Sequence, residues 1–235
     1  MEDDRLFKTM SRGQCPRDGY AGVVWRLPTR GAPGPWMPEL SLLAPFRSGY
    51  HIHATRQLID HHLTAGPRVW LAEARGAALA SRDSFVVHAS ARLVRELDWS
   101  LPTRLRVALA TVREALARVG FVEPCLLEAL AEGERIVPAP TLADLRAIEA
   151  RLLKPTFPKG IAHWEEEVED DPVGARVRRA ACSRYMAVSW ALAADPPAAL
   201  PYALGAIGDR DRAAPVGEAY DARVLAALFG ESRAT

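Results

Sequence analysis

At 235 residues the chain is long enough to bury a core, as one large domain or two apposed ones. Thirty Lys and Arg stand against 29 Asp and Glu, a net charge of +1 that excludes a global pull toward nucleic acid or anionic lipid and leaves such partners to a local patch. No apolar run reaches the roughly 18 residues that a membrane span needs.

The start, MEDDRLFK, is acidic where a secretory signal is basic and then apolar, so export by that route is not expected. Cys15, Cys125 and Cys182 are widely spaced and odd in number, which suits reduced thiols and a cytoplasmic location. Residues 5–10 (RLFKTM) read as a first strand, and Val23 to Trp25 as a second, short one. Pro28, Pro33, Pro35, Pro38 and Pro45, with Gly31 and Gly34, then rule out long helix or central strand over residues 28–46. Trp36, Met37, Leu40, Leu42, Leu43 and Phe46 give that loop enough apolar surface to lie as an ordered cover over a sheet.

The next fifty residues, from Gly49 to Asp98, gather histidines, carboxylates and strand patterning. Tyr50 and Ile52 alternate with His51 and His53, which puts both imidazoles on one face of a strand. Thr55 is placed to cap a short helix carrying Leu58, Ile59 and Leu63, ended by Gly66 and Pro67. A strand from Arg68 to Arg75 follows, with Gly76 breaking it. Ser84 to His88 and Ala91 to Leu97 give two more strand-like segments. The connections are too short for helical crossovers, so the sheet is expected to be mixed and mostly antiparallel.

After Asp98 the period changes. Leu101, Leu105, Ala108, Val112, Leu116 and Val119 mark a helix over residues 102–119, with Pro102 in its first turn. Its other face carries Arg104, Arg106, Arg113 and Arg118, which could meet the phosphates of a nucleic acid but read more simply as a solvated face. Further helices are read from Pro124 to Gly133, from Thr141 with a T-L-A-D cap, from Pro172 to Ala194, from Pro197 to Gly208 and from Gly217 to Phe229. Residues 154–160 read as a hinge, and the acidic run over residues 165–171 as a solvated face. The expected class is α+β: a β-rich domain over residues 1–98 with its proline-rich cover, and an all-α bundle over residues 99–235 packed on it.

His51, His53, Asp60, His61 and His62 form the densest group of potential ligands. Two imidazoles on one strand face could hold a transition metal with a third ligand from elsewhere, Cys15 among the options. The spacing H-x-H-x6-D-H-H misses compact binuclear patterns, and a packed histidine pair is the simpler reading. No metal ligand is assigned. Cys125 and Cys182 lie in apolar helical stretches and read as core.

The order G-Y-H-x-H at residues 49–53, a short helix, P-R-x-W-x-A-E-x-R-G at residues 67–76 and A-R-L-V-R-E-L at residues 91–97 resembles a poorly characterised bacterial and phage family. Its members carry a G-[FY]-H-x-[CH] strand and an A-E-x-x-G strand, and some are immunity-like with Ala-rich helical tails. The resemblance implies a non-catalytic interaction component of conflict or phage systems, with another protein as its partner and no membrane role. More distantly, the strand order is similar to the core of ADP-ribosyltransferases. That likeness implies Tyr50, His51 and Glu73 as catalytic residues, with Asp83 as an alternative acid. It further implies Lys8, His53 and Trp70 around a bound NAD, in a cleft under the loop at residues 28–46. Metal binding through His51 and His53 is the remaining alternative.

Overall fold

The structure is a computed structural model that describes residues 5–10, 24–45, 47–63, 68–81, 85–153 and 172–230. The chain divides into two compact units, Met1–Trp99 with Leu228–Gly230, and Ser100–Ala227 with residues 231–235. The class is α+β, as the change of period at Asp98 predicts: four strands, then helices.

In the first unit, β1 (Leu6–Met10), β2 (Tyr50–Ala54), β3 (Arg68–Ser81) and β4 (Phe85–Leu97) close in the order β1-β2-β4-β3. Every ladder among the described residues is antiparallel, where a mixed sheet was expected. β3 and β4 run 14 and 13 residues, while β1 and β2 have five each. The expected break at Gly76 is absent. The chain instead makes a bulge between Arg75 and Ala78, where Gly76 takes φ 76°, and β3 continues to Ser81. Only Gly takes that conformation without strain, so the residue read as a terminator re-aims the strand. The two segments read at Ser84 to His88 and Ala91 to Leu97 likewise fall in one strand from Phe85 to Leu97, since Ser90 pairs with Arg75 and the ladder resumes at His88 opposite Ala78.

Met10, Trp25, Met37, Tyr50, Ile52, Trp70, Ala72, Ala91 and Leu93 form a core cluster on one side of the strands. Phe7, His51, His53, Val69, Val87 and Leu97 are buried on the other side, as the registers Phe7 to His53, His51 to Val87 and Val69 to Leu97 require. Val24 and Trp25 form no strand. Val24 makes only an isolated bridge, and Val23 lies outside the described residues. Trp25 is 2% exposed, with its ring edge-on to Tyr50 at 5.4 Å. After β2, α1 (Thr55–Gln57) leads into a π-helical turn (Leu58–His62). Its cap is Ala54, not Thr55: the Ala54 N–H donates to Gln57 Oε1 at 3.0 Å.

The proline-rich segment is an ordered cover, and its bonding gives the reason. Gly34, Met37 and Leu40 donate their backbone N–H groups to Leu93, Ala91 and Ala89 of β4, at 2.8, 2.9 and 2.9 Å. Three residues of cover match two of strand, and a step of three is the period of a polyproline helix. β2 pairs with β4 only at Val86, Val87 and His88, so the cover takes up the ladder where β2 stops. Ser90 Oγ donates to Met37 O at 2.8 Å, and Tyr50 Oη to Pro38 O at 2.9 Å. Gly34 sits so close that a Cβ there would lie 2.5 Å from Arg26 O.

The second unit holds α2 (Leu101–Leu116), α3 (Pro124–Ile136), α4 (Leu142–Ile148) with a π turn (Glu149–Leu153), α5 (Pro172–Leu192), α6 (Pro196–Ile207) and α7 (Arg210–Phe229, its last turn in the first unit). Leu105, Leu109, Val112, Leu126, Leu130, Val188 and Leu192 centre its core. Ala108, Ala115, Ala187, Ala191, Ala199 and Ala203 let the axes approach closely, as small side chains do. Thr141 caps α4 as expected, accepting from Asp144 N at 3.1 Å. α3 outruns Gly133, because that glycine lies against Leu109 and Leu192 where a Cβ would be 3.2 Å from each. α7 starts before Gly217: Asp209 Oδ1 accepts from Arg212 N at 2.9 Å, and the helix runs on through Pro215. Residues 154–160 and the acidic run at residues 165–171 lie outside the described residues. Among the described residues, no helix is long and apolar enough to cross a membrane.

Two expectations follow. Gly34→Ala should cost roughly 1–3 kcal/mol in urea unfolding by forcing the cover off its seat, whereas Gly120→Ala, with open space around it, should stay within about 0.5 kcal/mol. Burial works against ionised Glu114 and Glu123, but hydrogen bonds from Arg223 and Arg118 to the first, and from Arg184 to the second, outweigh it and hold both carboxyls below their usual range. A depressed folded pKa means stability that is full above the unfolded value of about 4.3 and lost as pH falls through the folded value. The melting temperature should therefore drop more steeply below about pH 4.3 in the wild type than in a Glu114→Gln/Glu123→Gln variant.

Candidate functional site

The residues that the ADP-ribosyltransferase likeness implies lie in three separate environments. Tyr50, Lys8 and Trp70 share the side of the sheet occupied by the Trp25 cluster, and all are at least 95% buried. Lys8 and Trp70 are direct cross-strand partners, and Lys8 Nζ lies 5.7 Å from the Trp25 ring centre. The Arg68 guanidinium covers Trp70 at 4.9 Å. Burial pushes the Tyr50 phenol above its ordinary pKa, with the Arg26 charge pulling the other way. Its proton is committed to the Pro38 carbonyl, which fastens the cover.

His51 and His53 project from the opposite face of β2, as the alternation requires. His51 packs edge-on against Phe85 at 4.6 Å. His53 stacks on His62 at 3.7 Å, and its Nε2 lies 3.2 Å from Thr9 Oγ1. The ligand-rich spacing thus becomes a stacked and hydrogen-bonded pair. Asp60 turns away to Arg56 at 2.7 Å. Among the described residues no group of three His, Cys, Asp or Glu is arranged to hold a metal ion. Cys15 and Asp83 lie outside the described residues. Cys125 and Cys182 are half-buried in α3 and α5.

Glu73 stands apart from both groups. It is the register partner of Arg92, which donates to it through Nε at 2.7 Å. Glu73 borders an open groove of about 550 Å³, lined also by Leu6, Leu71, Ala72, Ala74 and Val94 and by Arg5, Trp36 and Arg75. The guanidinium groups of Arg75 and Arg92 approach the Trp36 ring centre at 4.2 and 4.8 Å, within cation–π range. A cleft beside the cover does exist at Glu73, but Tyr50, His51 and His53 are not among its walls. Sequence reasoning missed Trp36, Arg75 and Arg92 as a group. Trp36 read only as an apolar anchor, and without a strand register nothing places Arg92 opposite Glu73.

The arginine face of α2 is largely engaged within its own unit. Arg104 is 8% exposed and donates to Ala194 O at 3.0 Å. Arg113 makes a bidentate pair with Glu134 at 2.6 and 2.7 Å, and Arg118 pairs with Glu114 at 2.7 Å. Arg106 is exposed.

The fold and the site together define an α+β protein with a small antiparallel barrel-like sheet, a covered strand edge and an open aromatic and arginine-rimmed groove. No protein-family model matches the chain, and no curated protein or solved structure matches it either.

Tyr50→Phe should lower stability by about 0.5–1.5 kcal/mol in urea, because it removes the hydrogen bond to Pro38 while keeping the ring. Unchanged stability would show that the cover is held without it.

Proposed function

We infer that the protein is a non-catalytic interaction component, of the immunity type found in bacterial conflict and phage systems. It acts in the cytoplasm on a protein partner through its β-rich unit. The observation that carries this reading is the dispersal of the candidate catalytic groups. A ribosyl-transfer centre needs an NAD-clasping group and a carboxylate on one ligand. Here the Tyr50 hydroxyl is spent on the cover, the imidazoles lie on the far face, and Glu73 is paired with Arg92. What remains presented is the groove with its aromatic ring and guanidinium groups, a combination enriched at protein interfaces.

The NAD-using alternative has one observation in its favour: Glu73 does border a groove beside the cover. Incubation of the purified chain with labelled NAD and candidate acceptor proteins decides between the two. The interaction reading expects neither label transfer nor release of nicotinamide above the no-protein control. Transfer that vanishes in Glu73→Gln would overturn it.

A further inference from the structure

We propose that the outer edge of β3, from Arg75 to Ser81, is a docking edge on which an extended acidic segment of a partner protein adds as a further strand. The proposal rests on the interaction reading and gives it a binding mode.

β1 pairs with β3 only from Arg68 to Ala72, while β4 holds the opposite edge of β3 as far as Ser81. Beyond Ala72, then, the side of β3 that faced β1 has no strand against it among the described residues. β4 meets the same mismatch with β2 and is covered by residues 34–40. β3 has no such cover in the described chain. Every residue from Arg75 to Ala80 is exposed.

Open edges are ordinarily blunted by charge, proline or a short length, because their unpaired N–H and C=O groups template pairing with another chain. The run Gly76 to Ser81, G-A-A-L-A-S, carries neither charge nor proline. Its alanines leave the backbone accessible, and Leu79 is 40% exposed. Main-chain bonding along such an edge gives affinity, and the side chains beside it give selectivity.

Charge selects the partner. The edge opens at the groove, where Arg75 lies on Trp36 and forms no ion pair among the described residues. Glu73 is taken by Arg92. A further acid, Glu39, has its carboxylate 3.3 Å from where a Cβ on Gly76 would lie. Residues 1–99 carry 13 Lys and Arg against 10 Asp and Glu, whereas residues 100–235 carry 17 against 19, so the excess of positive charge lies in the unit that owns the edge. An incoming strand with carboxylates meets Arg75, and an apolar side chain beside them enters the groove over Leu71 and Ala74.

The test uses the full chain and a fluorescein-labelled peptide of alternating Val and Glu, with three comparison peptides: one with alternating backbone N-methyl groups on one edge, one methylated on the other edge, and one with Lys in place of Glu. We expect saturable binding of the Val/Glu peptide, weakened about tenfold or more by one of the two methylation patterns, by Lys, and by Arg75→Glu or Leu79→Glu in the protein. Arg30→Glu, on the exposed turn of the cover, should leave it unchanged, and far-UV melting curves check that each variant folds. Equal binding of all four peptides, or none by the Val/Glu peptide, would overturn the proposal. Self-association abolished by Leu79→Glu, without peptide binding, would assign the edge to a second copy instead. Glu73-dependent NAD chemistry would sink the interaction reading alone, and failed peptide binding without such chemistry would sink only strand addition.

Discussion

The lengths of the strands govern the first unit. β3 and β4 pair with each other over most of their course, but the strands beside them have five residues each. Each long strand therefore outruns its outer neighbour and presents a stretch of main chain whose polar groups need partners. On β4 the need is met by a segment that cannot itself be a strand. Prolines 33, 35 and 38 forbid a ladder, yet they leave the N–H groups of Gly34, Met37 and Leu40 to face β4 at every third position. The buried Tyr50 hydroxyl and Ser90 then take the cover's carbonyls, so one tyrosine links core packing to edge protection.

The same geometry sorts the polar side chains. Because β2 alternates, Tyr50 cannot share a space with His51, and buried imidazoles on the far side serve packing with Phe85, Thr9 and His62. Glu73 lies beyond the last residue that β1 covers, which is why it reaches solvent and finds Arg92 across the ladder. The groove marks the place where β1 ends. Function, on this account, follows from where protection of the main chain stops.

Much of the architecture was legible in the sequence. Alternation at Tyr50 to His53, the cap at Thr141 and the period of residues 102–119 are local signals that tertiary packing did not override. Gly76 misled because a glycine with positive φ serves a bulge as readily as a stop, and only the opposite strand distinguishes the two. Gly133 misled in the same manner: its helix continues because two leucines fill the space that a Cβ would take. The start of α7 lies upstream of the Gly217 at which the sequence pattern begins, with Asp209 capping the helix and Pro215 inside it. The trio of Trp36, Arg75 and Arg92 was illegible for a different reason. It joins a loop to two strands through a register that no spacing in the chain encodes.

Backbone amide hydrogen exchange, resolved by residue, measures the central claim most directly. Slow exchange at Gly34, Met37 and Leu40, together with alternating fast exchange from Ala77 to Ala80, is the expected pattern: one strand edge sealed and the other open. Fast exchange at all three cover amides, or uniform protection along the outer half of β3, would contradict it.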